Sequence, residues 1–276
     1  MLRSSNPILS KQDAFTPGGR GGQQGYAPYP AQSPYGQNPY GTDPGQQQVA
    51  SSDGRMTFDD VITKTIMTMA VLVAGAAVGW FVIPDAFAFP AMVVAGLVGF
   101  VAVLVVSFRR VVNPAFVLAY AAVEGVFIGV LSEVFERIYP GIVVQAVFAT
   151  LVAAGVTLAA YKIFNIRVTP KFQKIVVIST ISFAAVMLIN FVISLVTGGS
   201  GLRGGLTGDV SPLAIGISAI AIVLAVLNLI LDFDYIEKGV AMGAPARESW
   251  RGAFGLTVTM VWLYIEMLRL LSYLRR

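Results

Sequence analysis

SPLAIGISAIAIVLAVLNLILDFDYIEK, residues 211–238, decides how the rest of the chain is read. About 20 apolar residues run without a break and then meet two aspartates, and a run of that length and hydrophobicity crosses a bilayer as one helix. The cost lies at one end, where Asn228, Asp232 and Asp234 sit inside or at the edge of the hydrocarbon. Asn228 and Asp232 have the spacing of residues that share a helix face. An ionisable group at that depth is expensive unless it faces a partner or water, which makes Asp232 a candidate functional residue.

The 276 residues are 56% hydrophobic and only 12% charged, against roughly 25% charge in a soluble domain. The composition calls for a helix bundle in lipid. There is no cysteine and no histidine. Disulfides, thiolate catalysis and thiolate metal sites are therefore excluded, and so are Ser-His-Asp triads and histidine-based zinc sites. The glycine-rich stretch from Gly198 to Gly208 lacks the GxxxxGK[ST] pattern of a phosphate-binding loop and reads as a flexible outer connection. No enzyme and no cofactor is expected. A net charge of +4 does not signal nucleic acid, because the basic residues lie in short connections between apolar runs, where they act as an orientation signal.

Residues 1–57 form a tail rich in Gly, Pro, Gln and Tyr, with Tyr26, Tyr29, Tyr35 and Tyr40 in loose repeats. It has neither helix nor strand periodicity and reads as disordered. Its first dozen residues lack the apolar core of a secretory signal. It serves either as a plain tether or as a spaced-tyrosine segment that recruits a partner.

The remainder, residues 58–276, divides into seven apolar segments, giving an all-α, multi-pass membrane protein. Thr57 is placed to cap the first helix, with Asp59 and Asp60 in its positive first turn. Gly75 and Gly79 have the small-xxx-small spacing that lets helices approach closely. Arg109 and Arg110, then Lys162, Arg167, Lys171 and Lys174, then Lys238, Arg247 and Arg251 occupy the even-numbered connections; only Arg137 and Arg203 occupy the odd ones. This asymmetry places the tail in the cytoplasm and the protein in the cytoplasmic (inner) membrane of a cell. The seventh segment, from about Trp250, is long enough for a full span, although a crossing leaves Arg275 and Arg276 outside, against the charge rule.

Three acids lie within apolar runs: Glu124 in the third segment, Asp232 in the sixth and Glu266 in the last. Glu124 fits a hydrogen-bonded cross-link as well as a pore-lining role. Asp234 reads as interfacial and solvated. Arg269 either pairs with Glu266, three residues before it, or extends toward the headgroups. Asp232 and Glu266, in adjacent terminal segments, are expected to share a poorly solvated site. Two carboxylates held close retain a proton or bind a cation. With Asn190 and Asn228 as neutral oxygen donors, the set suits a hard ion such as Ca²⁺.

EGVFIGVLS in the third segment, LILDFDYIEK at the end of the sixth and LYIEMLRLLSYL in the last resemble the Bax-inhibitor/YccA-like (TMBIM) membrane family. The N-terminal RSSNPIL and the Tyr/Gly/Pro tail are similar to its actinobacterial branch. The resemblance implies seven helices with the last one central, and a pH-sensitive calcium leak gated by two paired acids. These fall on Asp232 and Glu266, and the family's third-helix glutamate falls on Glu124. The alternative is a non-conducting membrane regulator that binds other membrane proteins, with the tail as its working part.

Overall fold

The structure, a computed structural model, describes residues 54–109, 112–197, 201–205 and 210–276, with the backbone alone at residues 107 and 108. The tyrosine-rich stretch of the tail lies outside the described residues. Seven helices follow one another: α1 (Phe58–Phe81), α2 (Asp85–Phe108), α3 (Pro114–Ile138), α4 (Ile142–Ile163), α5 (Pro170–Thr197), α6 (Pro212–Ala241) and α7 (Glu248–Leu274). A 3₁₀ turn, Gly201–Arg203, stands between α5 and α6. All seven helices are long and apolar enough to cross a membrane, so the chain is the all-α, multi-pass protein its sequence describes.

Helix starts obey local chemistry. Thr57 Oγ1 accepts a hydrogen bond from the Asp60 N–H at 3.2 Å, Asn113 Oδ1 one from Ala115 at 2.9 Å, and Ser211 Oγ one from Ala214 at 3.1 Å. Each cap satisfies an N–H that has no partner within the helix. Pro114 and Pro212 follow two of these caps, where a missing N–H costs nothing. The last segment is one unbroken helix of 27 residues, about 40 Å long.

Packing sets α7 in the middle. It lies against α1, α3, α4 and α6, while α2 rests on α3, and α5 on α6 and the 3₁₀ turn. Gly252, Ala253 and Phe254 are consecutive and all buried, which a helix allows only when neighbours cover it all round. In α5, by contrast, Val176 is the single fully buried residue. The closest pair is α1 and α3. A methyl group at Gly75 would lie 2.5 Å from Ala122 O, and one at Gly129 would strike the backbone of Ala76. Glycines on both helices thus bring the backbones together, as the spacing of Gly75 and Gly79 predicts.

The bundle also begins earlier than composition suggests. Met56, assigned by its sequence to the tail, is 2% exposed and packs with Val61 and Ile236.

Candidate functional site

Because α7 is enclosed by other helices, it carries polar side chains that lipid would reject. One stripe along it, Gly252, Thr259, Glu266 and Tyr273, repeats every seventh residue, or about two turns, and therefore stays on one face. Gly252 meets Ile236 of α6, Thr259 meets Asp232, and Glu266 and Tyr273 both meet Arg203. This α6–α7 seam holds two acidic centres.

The first is Asp232. Thr259 Oγ1 donates to its Oδ2 at 2.7 Å. Gly255 leaves room for the carboxylate, since a methyl group there would lie 2.9 Å from Oδ1. Nearby, Asp234 is 9% exposed and pairs with Lys238 Nζ at 2.6 Å. It is a buried ion-pair partner and not the solvated interfacial residue expected of it, because Lys238, one turn on, folds back over it. Asn228 faces α5 instead of α7: its Nδ2 donates to Thr180 Oγ1 and to Leu224 O, both at 2.8 Å. Four residues advance a helix by a full turn plus about 40°, and that offset lets Asn228 reach Thr180 of α5.

The second centre is Glu266, 3% exposed, whose Oε1 accepts from Arg203 Nη1 at 2.8 Å. Arg203 itself is 9% exposed. It is delivered by the 3₁₀ turn, and several bonds hold that turn in place. Asn190 Oδ1 accepts from Leu202 N–H at 2.7 Å, Tyr273 Oη donates to Arg203 O at 2.8 Å, and Arg276 Nη2 donates to Gly205 O at 2.8 Å. Gly201 has φ +63°, and a methyl group there would come within 2.5 Å of Asn190 Oδ1 and Ser194 Oγ; only glycine allows this approach. Arg203 Nε and Nη2 and Glu266 Oε2 are buried without a hydrogen-bond partner among the described residues.

These contacts correct several expectations. Asp232 and Glu266 do not form a hydrogen-bonded pair. Thr259 and Glu266 are about 10 Å apart along α7, and Ala225, Leu229 and Leu263 pack as an apolar layer on the same two helices. The partner of Glu266 is Arg203, not Arg269, whose Nε is buried and unpaired. Asn190 is committed to the turn that carries Arg203. Glu124 is separate again: its carboxylate lies against Gly99 of α2 and has no hydrogen bond or ion pair among the described residues. Among these residues no group of three acidic side chains stands close enough to hold a metal ion, and Asp232 and Glu266 bond instead to Thr259 and Arg203.

Arg203 is the residue that a reading of the sequence misses. Its signal is faint: a lone arginine in a glycine-rich connection on the side of the membrane poor in basic residues. The family described as Bax inhibitor 1 like matches residues 6–276 of the chain. Comparison with curated proteins finds no match.

Proposed function

The chain belongs to the Bax inhibitor 1 like family, which includes ion-channel-like membrane proteins, and from that premise we propose that it is a pH-modulated passive cation leak, with Ca²⁺ as cargo, in the cytoplasmic membrane. The observation that carries this reading is the polar seam of α6 and α7, where Asp232 of α6 and Glu266 of α7 lie along one face of the central helix. On this reading the arrangement described here is the closed one. The Arg203 guanidinium occupies the Glu266 carboxylate, and Ala225, Leu229 and Leu263 lie between the centres. A fixed cation beside the path repels a mobile one, so conduction requires Arg203 to withdraw.

The two acids then have different tasks. Protonating Asp232 discharges a group whose hydrogen-bond partner is a neutral hydroxyl, and so loosens α6 from Thr259 at modest cost. Protonating Glu266 would leave Arg203 as an uncompensated buried cation, which is far more expensive. Asp232 is accordingly the proton-sensitive element, and Glu266 with Arg203 is the bolt. Asn190 and Tyr273 position Arg203. Glu124, Asn228, Asp234 and Arg269 support the helices around the seam.

The test is Ca²⁺ flux into liposomes at mildly acidic and mildly alkaline pH. Asp232→Asn is expected to abolish the pH response, and Arg203→Gln to raise flux at both pH values. Unchanged flux in both variants would sink the proposal. One observation favours a non-conducting regulator: the apolar layer separates the two centres. A wild-type protein that passes no cation at either pH, while its tail captures a membrane protein, would establish that reading instead.

A further inference from the structure

The α6–α7 connection joins the two helices of the seam, and residues 54–56 run antiparallel to it. Ala246 N–H donates to Gly54 O and Met56 N–H to Ala244 O, both at 2.7 Å, with Arg55 opposite Pro245. Lys64 Nζ, held by Asp60 at 2.7 Å, adds a bond to Ala246 O at 2.9 Å. The Met56 side chain occupies the space a side chain at position 239 would need: a methyl group on Gly239 would lie 2.8 Å from Met56 Sδ. Met56 packs on Ile236, and Ile236 on Gly252, where a methyl group would lie 3.1 Å away. One turn from Ile236 along α6 is Asp232. The contact thus runs from the root of the tail, through one buried methionine, to the proton-sensitive end of the seam.

We propose that residues 54–56 are a strap that holds the α6–α7 connection, so that α6 can part from Thr259 at the Asp232 centre only once Met56 leaves its seat. The proposal deepens the leak reading and rests on it for its effect on flux, but not for the strap itself. Two backbone bonds and one buried side chain secure the strap, against a full hydrogen-bond ladder in each helix. Its release is a local opening that leaves the bundle folded. The glycine at position 239 shapes the seat, because a side chain there would force the Met56 thioether to shift.

The natural chain has no cysteine, so every introduced thiol is unique. Ser249, in the first turn of α7, is fully buried beside the strapped connection, and Ser249→Cys is nearly isosteric. In the full-length protein, maleimide labelling of this cysteine is expected to accelerate by at least about tenfold when Met56→Ala or Met56→Asp is added, since local opening sets the rate. Arg55 and Pro245 form the kind of antiparallel pair that lacks direct hydrogen bonds, with Cα atoms about 4.5 Å apart, within disulfide reach. Arg55→Cys with Pro245→Cys is therefore expected to lock the strap under oxidation, suppressing the pH response of Ca²⁺ flux until a reductant restores it. Labelling that stays slow in both Met56 variants overturns the strap. Equal flux from the locked and reduced forms of a conducting protein overturns its coupling to Asp232. Faster labelling with no flux in any variant upholds the strap and removes the leak reading instead.

Discussion

The two ends of the α6–α7 seam hold a carboxylate by opposite means. Asp232 meets a neutral hydroxyl from the neighbouring helix. Glu266 meets a guanidinium brought in by a loop, and both groups are buried. The first arrangement can change its charge without stranding a partner. The second cannot, because losing either member leaves an isolated charge in a poorly solvated interior. A proton-responsive element and a mechanical bolt have different physical requirements, and on the proposed reading the seam provides one of each.

The largest expected effect tests the bolt. Arg203→Gln or Glu266→Leu, each made alone, is expected to cost about 3–5 kcal/mol of stability, because the surviving charge stays buried and unpaired. Replacing both, as Arg203→Met with Glu266→Leu, should recover most of that loss, since an apolar pair of similar volume is often neutral or stabilising. Unfolding in detergent measures both; a double variant as unstable as the singles would refute the ion-pair account. The middle effect tests the other end. Thr259→Val should cost only about 1–2 kcal/mol, because one hydrogen bond is lost and no opposite charge is stranded. A loss as large as that of Arg203→Gln would erase the contrast. The smallest expected effect is a coupling close to zero. Asp232→Asn and Glu266→Gln should add within about 0.5 kcal/mol, as independent sites do beyond about 7–10 Å. A strong coupling would restore the shared-proton pair that the structure replaces with two centres.

What the sequence made legible follows from how local each signal is. The seven helices, the cap at Thr57 and the glycines of α1 are short-range features set by hydropathy, backbone geometry and steric size. The importance of Asp232 and Glu266 was readable too, since a carboxylate in an apolar run stands out whatever it touches. Their partners were not. Asp232 and Thr259 are 27 positions apart, and Arg203 and Glu266 are 63 apart. Nothing in the GGSGLRGG stretch announces that its arginine turns inward.

By itself, then, the chain determined that it would be an all-helical membrane bundle with costly acids in its last two spans, because bilayer thickness and dehydration act on each segment separately. Only the tertiary structure decided which group would compensate each acid. That choice depends on the register of two antiparallel helices, on the room left by Gly255, and on a loop pinned by Asn190 and Tyr273. Buried charges are settled by whichever opposite or hydrogen-bonding group the packing brings within about 3 Å, and packing is a property of the whole bundle.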